Sequence, residues 1–544
     1  MHFKKYVRFL ALRSLYFTAF CLIISAGVLL PYMVLSSPAF CAVEPTVTPL
    51  PMVHVEEGLL AGFEEDDVIK FLGVPYAQPP VDDLRWKPPQ PLLTWDGLKY
   101  AQKFAPSCPQ PLLYNEPTSE DCLYLNIWTP SLDGSLPVMV WIHGGFFSRG
   151  SGSLFSFDGT TFAQTKRVLL ITINYRLGAF GFLAHPALSS ESALHTSGNY
   201  GLLDQVAALQ WIQKNIRQFG GDPHNITIFG QSAGSMSVSA LCLSPLAKGL
   251  FHKAIGQSGT ILGNYALFPR AGGSLTEAEA TGLRFEEELL GINKINPLEE
   301  LRNIPAERIV EKTGYPQVGS NDDYQFAPIF DNYMLPSEPR LALEKGAFNK
   351  VAILFGTNND EGTAFYSPMT ADEYSEWIYT HLHRAAPTAF LFFPTPRDEE
   401  TFLFWPSLAG FTFFGEPTQT FVYEYGKRNL PAYLYLFDHT PSPFLNTKKE
   451  HYGAMHGAEI PYVFGHISKE EGYKDIDIKM SQKMMEYWIR FAENGDPNRM
   501  GTLFWPKVDA NMTRKDLPYM VISSSPHITR GILAQLAEAL HNER

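Results

Sequence analysis

The chain has 544 residues, of which 45% are apolar and 18% charged, and it carries a formal net charge of −13. That balance belongs to a globular protein with a large core and excludes a disordered chain. The acidity excludes a nucleic-acid partner, because phosphates select basic surfaces. With 39 Phe, 25 Tyr and 9 Trp, the chain can build both a core and an apolar pocket.

Residues 1–41 read as a targeting segment. Lys4, Lys5, Arg8 and Arg13 are followed by an apolar run from Leu15 to Leu35. Small-residue contexts suited to cleavage come next, at Ser37-Pro38-Ala39 and Ala39-Phe40-Cys41. The expectation is an export signal, with a retained membrane anchor as the alternative because the run is long. Membrane contact is expected only through this segment, if it is kept. Both readings put the body in an oxidising compartment, secreted, periplasmic or lumenal. Cys21 and Cys41 fall in this segment; Cys108 and Cys122 bracket a short Pro-rich loop and are the disulfide candidates. Cys242 is expected to be a buried free thiol.

Residues 42–544 show no repeat and no separating linker, which suggests a single domain. Residues 42–56 read as irregular or as an edge strand. Val68–Pro75 reads as a strand ending at proline, and Pro79–Pro91 as an extended loop. Cys122–Thr129, Pro137–His143 and Val168–Tyr175 read as strands; the second is almost wholly apolar, as a central parallel strand is. Leu202–Phe219 has helical spacing, with Val206, Leu209, Ile212 and Ile216 on one face. Ile226–Phe229 is a further strand, and Phe251–Gly256 the next. Residues 270–345 read as short helices, Lys350–Gly356 as a core strand, and 370–425 as an aromatic, irregularly helical insertion covering a pocket. Ala432–Asp438 reads as a strand and Met480–Glu493 as an amphipathic helix. Strands alternating with helices imply an α/β protein with a mostly parallel sheet.

Gly230-Gln231-Ser232-Ala233-Gly234 follows the Ile226–Phe229 strand and precedes a small-residue helix. Strand, tight turn and helix around G-x-S-x-G make a nucleophile elbow, with Ser232 as candidate nucleophile. Side chains at 230 and 234 would collide with a neighbouring strand or helix. An elbow serine needs an acid and then a histidine later in the chain. Asp360 and Glu361 both stand just past the Lys350–Gly356 strand, where a triad acid belongs, and spacing leaves the choice open. His456 lies between glycines on a later loop, and His143-Gly144-Gly145-Phe146 follows a strand as an oxyanion loop does. Any one of these could be an ordinary turn; their joint order after the appropriate strands points to acyl transfer.

The chain resembles the type-B carboxylesterase and cholinesterase family of α/β-hydrolases. The resemblance rests on Ser119 to Asn126 (Ser-Glu-Asp-Cys-Leu-Tyr-Leu-Asn), Trp141 to Gly145, Asn174 to Gly178, Gly198 to Gln205, Phe219 to Gly234, Asp360-Glu361-Gly362, His456-Gly457 and Gly495 to Asn498. It implies an α/β-hydrolase fold with helical insertions around the pocket. It further implies Glu361 rather than Asp360 as triad acid, His456 as base, and the N–H groups of Gly145, Phe146 and Ala233 as oxyanion donors. Ion pairs Arg85–Glu120 and Arg176–Asp204 and the disulfide Cys108–Cys122 are implied too.

The departures also matter. Gln231 stands where the family often has Glu. The loop from Pro109 to Asp121 has no Trp, whereas cholinesterases carry a choline-stacking Trp there. Phe146 replaces the third glycine of the oxyanion loop, and no cysteine follows Cys242. The expected activity is hydrolysis of small neutral esters through an acyl-enzyme, with neither cofactor nor metal. A lipase-like acylglycerol hydrolase and a non-catalytic adhesion ectodomain, both within the family, are the alternatives. The sequence carries no signal for an oligomeric state.

Overall fold

The computed structural model describes residues 49–542, apart from 112–115, 264–272, 292–295, 315–325 and 448. The targeting segment read at 1–41 lies outside the described residues.

Runs of branched and aromatic residues that are apolar on both faces need cover on both sides, and a parallel sheet between helix layers provides it. Eleven strands form one such sheet. In chain order they are β1 (Phe63–Glu65), β2 (Val68–Pro75), β3 (Tyr124–Thr129), β4 (Leu136–Ile142), β5 (Leu169–Ile173), β6 (Gly221–Gln231), β7 (Lys253–Gln257), β8 (Ala352–Asn358), β9 (Ala432–Phe437), β10 (Pro518–Ile522) and β11 (His527–Arg530). Their spatial order is β11-β10-β9-β8-β7-β6-β4-β5-β3-β2-β1. Every neighbouring pair from β10 to β5 is parallel, and both edges are antiparallel.

Alternation along β4 divides the core. Val138, Val140 and Ile142 join a cluster with the Tyr200–Asn215 and Ala233–Leu243 helices. Met139 and Trp141 join the opposite one, where the Asp475–Asn494 helix contributes Met484 and Trp488. Val206, Leu209, Ile212 and Ile216 are all buried, as their spacing implies. The α-helix stops at Asn215, and Ile216–Phe219 tightens into a 3-10 turn ending at Gly220 in the left-handed region.

The structure adds elements that the sequence does not announce. Gly58–Ala61 and Leu98–Tyr100 join Met52–Val55, which falls in the stretch expected to be irregular or an edge strand, in a separate small sheet. The strands β10 and β11 and the helix Ala534–His541 complete the C-terminal end. In the aromatic insertion, helices Ala371–Leu382 and Ala386–Phe392 precede a longer helical run from Thr401 to Gly426, interrupted by a π-turn at Phe411–Gly415. No helix among the described residues is long and apolar enough to cross a membrane.

The body is tied together where the resemblance implies. Cys108 and Cys122 are disulfide-bonded, and Cys242 is free and buried. Arg85 Nε and Nη2 reach both Glu120 carboxylate oxygens at 2.8 and 2.5 Å. Arg176 does the same with Asp204 at 2.8 and 2.7 Å, almost wholly out of water.

Candidate active site

The parallel strands β6, β7 and β8 end side by side, with Gln231 paired to Gln257 and Gln257 to Gly356. The chain turns sharply after Gln231. Ser232 sits at φ 57° and ψ −124°, and the helix Ala233–Leu243 begins at the next residue. A non-glycine residue in that region costs about 1–3 kcal/mol and persists only where its surroundings hold it. Here the Ser232 N–H donates to the Gln257 carbonyl at 2.8 Å, and the Ser232 carbonyl accepts from the Met236 N–H at 2.9 Å. Close approach to β4 completes the elbow: a Cβ on Gly234 would lie 2.0 Å from the Ile142 carbonyl oxygen, and one on Gly230 2.6 Å from it.

Past the end of β8, Asp360 and Glu361 diverge. Glu361 opens a 3-10 turn, Glu361–Ala364, that folds its side chain back over the strand end. Its Oε1 accepts the Asn358 N–H at 2.8 Å, and its Oε2 lies 2.5 Å from His456 Nδ1. Asp360 turns the other way and accepts the Ala454 N–H at 2.8 Å, so it braces the loop that carries His456 and not the ring itself. Burial, first of all, raises the Asp360 carboxyl above its ordinary value.

The imidazole of His456 is packed between aromatic rings. Phe414, from the π-turn, stacks on it at 4.7 Å, and Phe365 tilts against it at 5.1 Å. Its Nε2 lies 3.1 Å from the Gln231 side-chain amide nitrogen. One tautomer satisfies both contacts: Nδ1–H donates to Glu361, and the Nε2 lone pair accepts from Gln231. Among the described residues no hydrogen bond joins Ser232 Oγ to the ring. Such bonds are often long in free enzymes and tighten with substrate.

A second carboxylate lies behind this pair. Glu459 is fully buried and accepts from Gln257 Nε2 at 3.1 Å and from Asn358 Nδ2 at 2.6 Å. Trp488 Nε1 donates to Gln257 Oε1 at 3.0 Å. Burial, and then the negative charge of Glu361, raise the Glu459 carboxyl above the usual range. The sequence reading missed Gln257, Asn358 and Glu459. Gln257 and Asn358 are polar last residues of apolar strands, a pattern that could have marked both; Glu459 had no such signal.

The glycine turn after β4 runs along the elbow. A Cβ on Gly144 would meet the Gln231 carbonyl at 2.5 Å and Ser232 Cβ at 3.1 Å. Gly145 has φ 113°, and its carbonyl accepts the N–H groups of Ser148 and Arg149, each at 3.0 Å. Phe146 follows at φ 60°. Gly144 is thus the residue of the turn that meets Ser232; of the expected oxyanion donors, Gly145 and Phe146 follow it in the chain and Ala233 is the first residue of the helix after Ser232. His143 supports the turn: it stacks on Tyr175 at 4.5 Å, and the Tyr175 hydroxyl donates to its carbonyl at 2.8 Å. Burial pushes its imidazole down to about 4, so the ring is neutral near pH 7. The Phe146 ring has the Arg149 guanidinium 4.9 Å from its centre on one side and meets Phe365 edge-on at 6.1 Å on another.

A strained serine in the turn after a central parallel strand, next to a glutamine that touches a carboxylate–imidazole pair from later in the chain, is the arrangement of an α/β-hydrolase. A solved structure titled PNB esterase matches with a TM-score of 0.77 at 32% identity, covering 90% of this chain and all of that one. The family model described as the carboxylesterase family matches residues 49–540, and the chain belongs to that family. Fumonisin B1 esterase of Sphingopyxis macrogoltabida is 37% identical over 479 residues, covering 84% of each chain. Para-nitrobenzyl esterase of Bacillus subtilis is 36% identical over 488 residues, covering 84% of this chain and 92% of its own. Liver carboxylesterase 1F of Rattus norvegicus is 33% identical over 538 residues, with 88% and 92% covered. The chain is a carboxylic-ester hydrolase of this family.

Proposed function

We propose that the chain hydrolyses neutral carboxylic esters by two-step acyl transfer on Ser232. Ser232 Oγ attacks the ester carbonyl while His456 Nε2 takes its proton. Glu361 holds the Nδ1–H tautomer and stabilises the imidazolium. The N–H groups of Gly145, Phe146 and Ala233 receive the tetrahedral oxyanion; loss of one such donor typically costs about 100- to 1,000-fold. The C–O bond breaks as His456 returns the proton to the leaving alcohol, and water repeats the sequence on the acyl-enzyme. The observation that carries this reading is the 2.5 Å contact between Glu361 and His456, whose Nε2 lies 3.1 Å from the side chain next to Ser232, itself held at φ 57°.

Neutrality of the substrate is supported by what lines the site. Gln231 brings no charge, and Phe146, Phe365 and Phe414 form an apolar row leading to His456. A guanidinium already lies against the Phe146 ring and takes up an aromatic face that a cationic substrate would use. The disulfide supports export to an oxidising compartment. The test compares kcat/KM for butyrylcholine with that for its neutral carbon isostere, alongside nitrophenyl esters of rising acyl length. The neutral isostere is expected to be the better substrate. A clear preference for the cation would refute the neutral reading, and no turnover of any ester would refute the whole assignment.

A further inference from the structure

We propose that Gln231 is a positioning residue that holds His456 in its neutral form, by donating its side-chain amide to Nε2. The inference rests on the reading of His456 as the base.

The amide has little freedom. Gln231 is the last residue of β6 and is 6% exposed. Its Oε1 lies against Gly144 and its Nε2 against Gly457, close enough that a Cβ on either glycine would touch it, at 3.2 and 3.7 Å. Between them the amide nitrogen faces His456 Nε2 at 3.1 Å. With Nδ1–H committed to Glu361, Nε2 can only accept, and an amide N–H is a donor. A hydrogen bond made to the neutral form of a base favours that form. The same bond occupies the lone pair that must take the Ser232 proton, so Nε2 exchanges partners as the ester is attacked. A carboxylate here could not donate to the neutral ring and would favour the charged one. Gln in place of Glu therefore gives the neutral ring a partner that can donate to it.

Other charged groups press on the same ring: Glu361 on Nδ1, Asp360 through the Ala454 amide, and Glu459 behind Asn358. All three remain in the variants, so a change at 231 isolates the amide. The experiment records kcat/KM against pH for wild type, Gln231→Glu and Gln231→Met with an uncharged ester. In parallel it records the pH dependence of Ser232 phosphonylation by a neutral reagent. The acid limb is expected to move up by about one pH unit for Gln231→Glu. For Gln231→Met it is expected to move up by about half a unit, the loss of one neutral hydrogen bond. Packing alone would lower the melting temperature and leave the limb where it was. Limbs that superpose within about 0.2 unit, with Ser232 still labelled, would overturn the role of Gln231 and leave the Ser232–His456 reading standing. If Gln231→Glu does not fold, an unmoved Gln231→Met limb overturns it alone. If wild type is not labelled at Ser232, both inferences fall.

Discussion

Replacing Glu361 by Gln removes the orienting charge while keeping the shape. Glu361 Oε1 already accepts the Asn358 N–H at 2.8 Å, and the carbonyl oxygen of Gln can keep that bond. The new NH2 must then take the place of Oε2, 2.5 Å from His456 Nδ1. A donor facing Nδ1 drives the ring proton to Nε2. That tautomer cannot take a proton from Ser232, and it also sets Nε2–H against the Gln231 amide N–H. The analogous change in a Ser-His-Asp triad lowers kcat about 10⁴-fold, or about 5 kcal/mol of transition-state stabilisation. A loss of that order is expected here. Asp360→Asn keeps an oxygen for the Ala454 N–H and touches no ring atom, so its expected loss is below about tenfold. The assay is kcat on nitrophenyl butyrate, with thermal melting to confirm that each variant is folded. A loss below about tenfold for folded Glu361→Gln, or a larger loss for Asp360→Asn, would refute the assignment of the acid.

Arg176→Met leaves the Asp204 carboxylate buried without its guanidinium, so a loss of about 3–5 kcal/mol in unfolding free energy is expected from denaturant melts; a change within error would show that the pair carries no such load. Phe146→Gly removes the ring between Arg149 and Phe365 and keeps the backbone N–H. It is expected to raise kcat/KM for esters of tertiary alcohols relative to acetates of primary alcohols, and a ratio unchanged within about twofold, or about 0.4 kcal/mol, would show that the ring does not limit the alcohol site.

The strands around the elbow are legible in the sequence because they are apolar on both faces, as β4 is throughout and β5 is apart from Thr172. The far end of the sheet is not: β10 opens on a proline and has no motif beside it to frame it, and β11 is an edge strand with both end residues exposed. Neither offers a period to read. Ser232 stands out because strand, turn and helix surround it within a few residues. Asp360 and Glu361 do not separate by spacing, since they are adjacent; what distinguishes them is a 3-10 turn that sends one carboxylate to Ala454 and folds the other back over β8. The contact between Gln231 and His456 spans 225 positions and leaves no local trace. The aromatic run at 411–414 reads as pocket cover, and only the π-turn, which adds a residue to the helical repeat, decides that Phe414 rests on the imidazole.

The central claim is that Ser232 is the nucleophile. The most direct measurement is the intact mass of wild type and Ser232→Ala after exposure to a fluorophosphonate, with peptide mapping of the adduct. The expected result is one adduct per wild-type chain, on Ser232, and none on a Ser232→Ala protein with a wild-type melting curve. Labelling of Ser232→Ala at the wild-type rate, or a wild-type adduct on another residue, would contradict the account.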